Sequence, residues 1–496
     1  MRPLYNFAEI RYTYKEKAPA YVRFRKKGRQ TAFLCVRPGV WSKGPQKPFK
    51  DREGLSLQYT QREVMQYVEE HDVKFIRLAF CDIHGMQKNM AIMPSELARA
   101  FDTGIAFDAS FVRGFMNEGA SDLFLVPDPS TFMVMPWRPS HGQVVRLLCD
   151  IKTASGAPFA GDCRALLRAA VRDARKMGLQ CKAGTECEFY LFKTDENGEP
   201  TREPYDFGTY CDIAPRDKCE DIRREICLAL EEMGLRPQTS RHEQGPGQNE
   251  IDCRYSDILT AADNFLALKS AVKSIADGDG LYASFMPKPL PNYSGSSLHL
   301  ILSLSQNGEN LFQVDNGLHN ETAESFLQGV LRRITEITLF LNPLTNSYER
   351  FGRFEAPKFV TWSHQNHSQL ICIPTVREAG RGCMELRSAD PACNIHLALA
   401  LLLWAGLEGV RDGLPLCAPD NRDLYRVPDE ETESLLTLPA TLSEALEIAE
   451  KSEFVRACLP EKLRENYFAQ KRSEWERYRI SGNRQEFEQR EYFLTV

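Results

Sequence analysis

Two glutamates separated by one residue begin an apolar segment, Glu186-Cys187-Glu188, which continues as Phe189–Phe192. Side chains two residues apart on a strand share a face, so the two acids would point one way while Cys187 and Phe189 point the other. Two carboxylates on one buried face repel each other and lose hydration unless a cation lies between them. The segment therefore predicts a cation-binding strand or, as the commoner alternative for an isolated motif, an exposed strand with two solvated acids.

A second acidic motif spans His242–Ile251, with the sequence His-Glu-Gln-Gly-Pro-Gly-Gln-Asn-Glu-Ile. Glycines and a proline favour a loop between its two acids, Glu243 and Glu250. Such a loop can fold back and supply a second pair of oxygen ligands. Taken alone, the segment fits a polar turn equally well.

Two further predicted strands each carry one candidate ligand. Alternation places His299, Ile301 and Ser303 on one face of the first strand, and Glu385 and Arg387 on one face of the second. Taken alone, His299 is explained equally well as a structural histidine that is hydrogen-bonded. The pair Glu385 and Arg387 is likewise explained as a surface ion pair. Together the four segments supply five glutamates and one imidazole. This mostly hard-oxygen set suits Mg²⁺ or Mn²⁺ rather than zinc, and two such cations would be needed to neutralise the acids.

The composition is that of an ordinary globular protein, with 43% hydrophobic and 26% charged residues in a chain of 496, long enough for several domains. No apolar run approaches about eighteen residues, which predicts no membrane span. Residues 1–29 lack the apolar core of a signal peptide. The 15 scattered cysteines, without CxxC spacing, are then expected to be reduced thiols, so we predict a cytoplasmic location.

The N-terminal segment, residues 1–57, is strongly basic, with Arg23, Arg25, Lys26, Lys27 and Arg29 close together. A basic arm can bind nucleic acid or an acidic surface. No interleaved aromatic residues or helix-turn-helix pattern supports that role, so we predict no nucleic-acid partner. We expect residues 1–57 to be a disordered, solvated tail, or to result from a start codon placed too far upstream.

The remaining chain divides into two predicted domains. Thr60 is expected to cap a helix ahead of the strand Val73–Phe80, and short strands follow in an α+β domain at 58–155. Asp162 is expected to cap the first helix of a larger domain at 156–496. The elements predicted there are strands Glu186–Phe192, Ser297–Leu304, Leu370–Pro374 and Cys383–Arg387, and helices Cys163–Met177, Asp221–Met233, Ala261–Asp277, Ala323–Phe340, Ile395–Leu407 and Pro460–Tyr478.

The order and spacing of these motifs resemble the glutamine synthetase family over about Tyr59–Val496. Glu-x-Glu with Phe-x-Leu-Phe, and His-Glu-x(3)-Gly-Gln-x-Glu, resemble its metal strands. Asn346-Ser347-Tyr348-x-Arg350, Glu355-Ala356-Pro357 and Glu385-x-Arg387-x(2)-Asp390-Pro391 resemble its substrate and flap motifs. The resemblance implies an α+β fold with an N-terminal β-grasp domain and a catalytic domain on a curved antiparallel sheet with flanking helices. It also implies a double-ring homo-oligomer, expected to be a dodecamer, with sites between subunits.

The resemblance further implies a reaction in which ATP phosphorylates the γ-carboxylate of glutamate and ammonia displaces the phosphate, with two Mg²⁺ or Mn²⁺ ions. One ion would be held by Glu188, Glu243 and Glu250, and the other by Glu186, His299 and Glu385.

The other implied roles concern the substrates. Glutamate would be bound by Gly295, Arg350 and Arg387, and ATP by Ser303. The ammonium ion would be bound by Asp108 of a neighbouring subunit, with Tyr210 as its aromatic partner and Glu355 as the flap acid that helps deprotonate it.

The departures from the family pattern concentrate on the ATP phosphates. Ile301 stands in place of a histidine, and His367, Cys372 and Cys383 stand where the family has arginines. Phe111 stands where a serine is common in the ammonium loop. Loss of an arginine at a transferring phosphate typically costs about 10³–10⁵ in rate. Three interpretations stay open: a glutamine-forming ligase, a ligase that joins glutamate to another amine, and a catalytically weakened member with a binding or regulatory role.

Overall fold

The computed structural model describes residues 59–496 except 116–121, 138–141, 314–319, 355, 365 and 375–380, together with two short strands nearer the N-terminus. The chain forms two compact units, Met1–Leu57 and Gln58–Val496. In the first unit, β1 (Tyr21–Arg23) and β2 (Phe33–Cys35) pair antiparallel. The rest of the predicted extension at 1–57, and the predicted flap acid Glu355, lie outside the described residues.

The second unit opens with a six-stranded mixed sheet and two helices. The elements are α1 (Gln61–Glu70), β3 (Val73–Cys81), β4 (Gln87–Ile92), α2 (Leu97–Asp102), β5 (Ile105–Asp108), β6 (Asp122–Pro127), β7 (Met133–Val134) and β8 (Gln143–Thr153). The strand order is β4-β3-β8-β6-β5, with β7 also on β8. The β3–β8 pair is parallel and the others are antiparallel. This is the expected β-grasp domain, and Thr60 caps α1 in a reciprocal capping box with Glu63, as predicted.

The larger domain is built on a ten-stranded sheet in the order β11-β12-β9-β14-β18-β17-β16, with β10 and β13 on β9 and β15 on β14. Its strands are β9 (Leu179–Thr194), β10 (Pro200–Pro204), β11 (Pro237–His242), β12 (Gln248–Asp257), β13 (Leu281–Ser284), β14 (Leu298–Gln306), β15 (Glu309–Asn310), β16 (Trp362–His364), β17 (Ile371–Ile373) and β18 (Met384–Leu386). All pairs are antiparallel except the short β16–β17 pair. The predicted α+β class and antiparallel catalytic sheet are confirmed.

The helices of the larger domain are α3 (Cys163–Lys176), α4 (Glu220–Glu232), α5 (Ile258–Gly278), α6 (Glu321–Leu341), α7 (Ile395–Asp412), α8 (Asp429–Thr432), α9 (Leu442–Lys451), α10 (Glu453–Cys458), α11 (Glu461–Ile480) and α12 (Arg484–Glu488). Both α3 and α5 contact β9, and Cys187, Phe189 and Leu191 of that strand are fully buried. This apolar packing leaves the opposite face of β9 for its acids. Within the described ranges, no helix is long and apolar enough to span a membrane.

A buried ion-pair cluster links the β-grasp domain to the larger domain. Arg164 at the start of α3 lies 2.8 Å from Asp263 of α5, 2.9 Å from Asp128 and 3.1 Å from Asp150 of β8. The side chain of Arg164 is 6% exposed, whereas Arg168, which pairs with the same Asp128 and Asp150, is 31% exposed. Arg164 is therefore the buried arginine of the cluster, and it pairs with acids of both domains.

We expect Arg164→Met to lower the free energy of unfolding by about 3–5 kcal/mol, because it leaves the buried carboxylate of Asp263 without its main counter-ion. Arg168→Met, the matched control, removes a more exposed partner of the same acids and should cost about 1 kcal/mol or less. Urea unfolding of both variants at equal protein concentration measures the difference. Equal losses in the two variants would contradict this account of the cluster.

Candidate functional site

The acidic residues meet because of the register of three neighbouring strands. In the β9–β12 pair, Glu188 lies opposite Glu250 and Glu186 lies opposite Asp252. In the β9–β14 pair, His299 lies opposite Glu186. Directly opposite residues of antiparallel strands put their side chains on one face about 5 Å apart. Side chains remote in sequence therefore form continuous rows across the sheet.

Two groups of three ligands result, and in each group the ligand atoms lie within 4.8 Å of one another: Glu186, His299 and Glu385 in the first, and Glu188, Glu243 and Glu250 in the second. We call the two groups together the cage. His299 Nδ1 is 3.1 Å from Glu186 Oε2 and 3.4 Å from Glu385 Oε1. Two atoms about 2.1 Å from one octahedral cation, at right angles, are about 3 Å apart. The first group thus has the spacing that one shared Mg²⁺ or Mn²⁺ ion requires.

The carboxylates of the cage carry more negative charge than their surroundings neutralise. Burial, reinforced by the charge of Glu243, raises the pKa of Glu188 to about 8. Burial and Asp252 raise the pKa of Glu186 to about 7. Burial, with the charges of Glu188 and Asp252, raises the pKa of Glu250 well above the usual glutamate value. A divalent cation among these oxygens would relieve both the desolvation and the mutual repulsion, so the donor set fits the implied metals.

The imidazole of His299 is neutral in this setting. Burial, reinforced by the nearby charge of Arg387, lowers its pKa to about 3. A neutral ring offers a lone pair to a cation, whereas a protonated ring would repel one. The ring can therefore act as the nitrogen ligand that the sequence predicts.

Two donors that the sequence analysis missed orient Glu188. Gln248 Nε2 donates to Glu188 Oε2 at 3.0 Å, and the backbone N–H of Ser297 donates to the same oxygen at 2.7 Å. Gln248 Nε2 also donates to the carbonyl of Gly295 at 3.0 Å. The amide of Gln248 thus joins the metal strand to the predicted glutamate-binding backbone. Gln248 is the glutamine of the His-Glu-x(3)-Gly-Gln-x-Glu motif, although its hydrogen bonds were not predicted from that motif.

Gly295 and Arg350, both predicted to bind glutamate, lie against each other. A Cβ atom at Gly295 would lie 2.5 Å from the carbonyl oxygen of Pro287 and 2.6 Å from Arg350 Cγ, so only glycine fits there. Arg350 is 1% exposed and donates to Ser297 Oγ at 2.6 Å and to the carbonyl of Ser388 at 3.1 Å. The aliphatic part of Arg350 therefore packs against Gly295, while its guanidinium binds Ser297 and Ser388. Its contact with glutamate stays a prediction.

Arg387, the third predicted glutamate ligand, is 4% exposed and donates from Nη1 to Glu385 Oε1. The predicted alternation, which put Glu385 and Arg387 on the same side of the chain, is therefore correct, although Arg387 lies one residue beyond β18. The pair is buried, in contrast to the surface ion pair that was the alternative for this motif.

Arg241 is the largest omission of the sequence analysis. It lies opposite Glu250 in the β11–β12 pair. Its Nε is 2.9 Å from Glu243 Oε1, its Nη2 is 2.7 Å from Glu250 Oε1, and its Nη1 is 2.9 Å from Asp252 Oδ2. Alternation along β11 could have shown it, because Arg241 stands two residues before Glu243.

His242 holds the start of the glycine-rich loop. Its Nδ1 is 2.7 Å from the carbonyl oxygen of Glu243, and its Nε2 is 2.8 Å from Asp206 Oδ1. Asp206 also accepts from the backbone N–H of Gly247 at 3.0 Å. Although burial opposes the charged form, these hydrogen bonds raise the pKa of His242 above the usual histidine value. The loop between the two acids is therefore fixed at both ends, and the solvated polar turn is not what the structure shows.

The predicted residues outside the cage are dispersed. Tyr210 is 57% exposed and lies at the rim of the cage, because the N–H of Cys211 donates to the carbonyl of His242 at 3.0 Å. Ser303 lies on β14 four residues beyond His299, about 13 Å along the strand, and accepts a hydrogen bond from Asn310 at 3.1 Å.

Asp108 is the predicted site residue that lies in the six-stranded sheet. It ends β5 in the six-stranded sheet, at an exposed position, and accepts from the N–H of Ser110 at 2.8 Å. All six predicted ligands lie on or beside strands of the ten-stranded sheet. Phe111, three residues beyond Asp108, is 89% exposed.

The residues that depart from the family pattern border the cage. Ile301 lies opposite Glu385, and Cys372 lies opposite Glu385 on its other side, so the three form one row. Cys372 is fully buried and Cys383 is 2% exposed, whereas His367 lies in an exposed turn between β16 and β17. An uncharged row therefore flanks one ligand of the first group, where an arginine would have supplied positive charge.

Known proteins resemble this chain along most of its length. The glutamine synthetase β-grasp domain matches residues 72–154, and the glutamine synthetase catalytic domain matches residues 160–490. The glutamine synthetase of Methanosarcina mazei is 44% identical over 425 residues, which are 85% of this chain and 95% of that protein. The glutamine synthetase of Clostridium saccharobutylicum is 41% identical over 435 residues, 87% of this chain and 98% of that protein.

Among solved structures, GmaS in complex with ADP superposes with a TM-score of 0.77 at 28% identity, covering 86% of this chain and 98% of that chain. GmaS without ligand superposes with a TM-score of 0.76 at 29% identity and the same coverage. The two domains, their order and the extent of the match lead to one conclusion. The chain belongs to the glutamine synthetase family, a family of ligases that use ATP and divalent metal ions.

Proposed function

We propose that this chain is an ATP-dependent ligase that forms glutamine from glutamate and ammonia through a γ-glutamyl phosphate. The observation that carries the proposal is the cage, in which two groups of three ligand atoms each lie within 4.8 Å of one another. The proposal includes two Mg²⁺ or Mn²⁺ ions, one for each group, and ATP as the second substrate. When bound, the two ions would neutralise the oxygens of the transferring phosphoryl group.

The chain itself would bind and orient the substrates. The backbone at Gly295, which accepts a hydrogen bond from Gln248 and packs against Arg350, would present its polar groups to glutamate. Arg387, held beside the first group by Glu385, would offer guanidinium donors to a carboxylate or phosphate. Ser303 would contact the nucleotide.

The ammonium site would be assembled from two subunits. Asp108 is exposed and belongs to the other sheet, so a neighbouring subunit would have to bring its own Asp108 to the rim where Tyr210 lies. Glu355 would then shield the intermediate and take a proton from ammonium. Large exposed apolar side chains, among them Phe111 and Ile213, support contacts between subunits. The proposed assembly is a double-ring homo-oligomer, expected to be a dodecamer, in the cytoplasm.

Two observations favour other functions. Phe111 exposes 89% of its side chain near Asp108, and an aromatic surface there would suit the alkyl group of a larger amine. The uncharged row of Ile301 and Cys372 beside Glu385 favours a weakened member that binds metal without turning over ATP. These are the second and third candidates.

The full chain, supplied with Mn²⁺, ATP and glutamate, is expected to release phosphate on addition of ammonium and to form glutamine, detected by mass spectrometry. Glu250→Gln removes the charge of a direct metal ligand and should lower that rate by at least about 100-fold, since even the loss of a residue that only supports a ligand costs about 10–100-fold. Glu199→Gln, at an exposed hairpin position, is the matched control. Phosphate release with an alkylamine alone would replace the first candidate by the second, and the absence of any release would favour the third.

Glu188→Gln is expected to have opposite effects on the metal-free and the metal-loaded protein. Without metal, it removes a buried carboxyl group whose ionised form is disfavoured by burial and by Glu243. Glutamine has no charged form to neutralise on folding, so at pH 7 the variant should have a free energy of unfolding higher by at least about 1 kcal/mol. Mn²⁺ at 100 times its dissociation constant should stabilise the wild type by about 2.7 kcal/mol and this variant much less. Melting curves with Mn²⁺ and with a chelator provide the measurement, and a variant that is less stable without metal would refute the repulsion argument.

The double substitution Cys372→Arg with Cys383→Arg is expected to strengthen ATP binding at least tenfold in the presence of Mn²⁺, because it restores two guanidinium groups beside Glu385. Titration calorimetry with ATP measures the change. Cys417→Arg, at an exposed position, adds the same charge elsewhere and should change nothing. If the two proteins bind ATP equally, the missing arginines are not what limits the nucleotide site.

A further inference from the structure

We propose that Gln470 of α11 is a positioning residue for the ammonium site of the neighbouring subunit. It holds the loop Asp108–Phe115, whose aspartate the proposed function assigns to that site. This inference rests on the proposed function, because Asp108 has its role only if the amine substrate is ammonia and the subunits share their sites. It adds a residue of the larger domain on which the placement of the loop depends.

Gln470 joins two segments of the β-grasp domain to α11. Its Oε1 lies 2.6 Å from Nε2 of His84, in the turn between β3 and β4, and 3.2 Å from Nε of Arg113, in the loop Asp108–Phe115. An arginine Nε can only donate, so the amide oxygen of Gln470 must face it, and His84 must then donate from Nε2. One acceptor atom with two lone pairs therefore ties both segments to the helix.

His84 has the protonation state that this hydrogen bond requires. Its Nδ1 is buried and, among the described residues, has no hydrogen-bond partner. Burial, reinforced by the charge of Lys471, lowers the pKa of His84 well below the usual histidine value. The ring is therefore neutral, and its single proton lies on Nε2, where Gln470 accepts it.

The end of the loop also packs against α11 beside Gln470. Gly114 has a φ of +84°, and a Cβ atom there would lie 2.4 Å from Ile83 Cδ1 and 3.3 Å from Gln470 Nε2. The carbonyl of Gly114 accepts a hydrogen bond at 3.2 Å from Nδ2 of Asn466, in the preceding turn of α11. The loop is therefore in close contact with both the helix and the turn that Gln470 joins.

Short hydrogen bonds connect this end of the loop to its aspartate. Asp108 Oδ1 accepts from the N–H of Ser110 at 2.8 Å. The N–H of Val112 donates to the carbonyl of Ala109 at 3.0 Å, and that of Phe115 donates to the carbonyl of Val112 at 3.0 Å. Because each turn is closed by a hydrogen bond, a displacement at the end held by α11 shifts the aspartate as well.

A purely structural role for Gln470 predicts a different result. If Gln470 only stabilised the contact between the two domains, its loss would lower the free energy of unfolding and affect the use of all three substrates alike. A positioning role predicts that the KM for ammonium rises alone. It also predicts that the defect belongs to the neighbouring subunit's site, because the loop acts there.

Gln470→Met removes the acceptor oxygen and keeps the length of the side chain, whereas Gln470→Glu keeps an acceptor for both partners. In the glutamine-forming assay, Gln470→Met should raise the KM for ammonium at least about tenfold, since a misplacement of about 1 Å can cost about 100-fold. The KM values for ATP and glutamate should stay at the wild-type level, and so should all three in Gln470→Glu. Gln66→Met, the matched control, removes an exposed glutamine that donates to Glu70 within α1.

Hydrogen–deuterium exchange measures the loop directly, without catalysis. The amides of Ser110, Val112 and Phe115 are hydrogen-bonded within the loop. In Gln470→Met they should exchange at least about tenfold faster, because local opening becomes easier. Exchange in Gln470→Glu and in Gln66→Met should match that of the wild type.

Mixed oligomers show which subunit's site depends on Gln470. Glu250→Gln subunits have an impaired cage and an intact loop, and Gln470→Met subunits have the converse. When the two are co-expressed with different affinity tags and purified together, about one cage in four is intact and faces an intact loop, provided that the ring has head-to-tail contacts. These sites should regain the wild-type KM for ammonium, which neither variant shows alone.

A wild type that forms glutamine, combined with an unchanged ammonium KM or unchanged loop exchange in Gln470→Met, would overturn the inference and leave the proposed function intact. Mixed oligomers that keep the raised KM would place the effect within one subunit and overturn the inference as well. A wild type that releases no phosphate with ammonium would instead overturn the proposed function, and this inference with it.

Discussion

Repulsion between buried carboxylates on one face of the ten-stranded sheet is the constraint on which the rest of the site depends. The acids of β9 cannot turn away, because Cys187, Phe189 and Leu191 fill the opposite, fully buried face. A register shift by one residue would exchange the two faces and place Glu186 and Glu188 in the apolar core. Packing of the helices therefore fixes the acids close together, and the resulting charge must be offset by cations or by protonation.

The structure meets this charge partly with its own arginines. Arg241 and Arg387 each donate to carboxylates of the cage, one at β11 and the other just beyond β18. Gln248 and the backbone of Ser297 supply neutral donors to Glu188. These partners hold the carboxylates in place without supplying the charge of two divalent ions. A site that is rigid before metal arrives loses less conformational entropy on binding, which favours a defined geometry for the phosphate.

Sequence patterns predicted the local features and failed on those that depend on register. Thr60 and Asp162 were correctly identified as helix caps because capping involves residues two or three positions apart. Strand alternation gave the shared face of Glu186 and Glu188 for the same reason. Alternation could have placed Arg241 beside Glu243, but its contact with Glu250 is set by the pairing of β11 with β12, which depends on the residues that the whole sheet buries. Asp108 shows a further limit, since its proposed partner lies in another chain.

The cage and the residues predicted to bind the ATP phosphates can change independently. The row formed by Ile301, Glu385 and Cys372 shows why. Cys372 and Ile301 flank Glu385 on neighbouring strands, yet Glu385 is oriented by Arg387 and contacts His299. A small side chain at 372 is compatible with those contacts, since Cys372 is buried beside Glu385. The cage would thus survive the loss of phosphate-binding charge. An intact cage therefore supports metal binding alone. Turnover of ATP also depends on residues outside the cage.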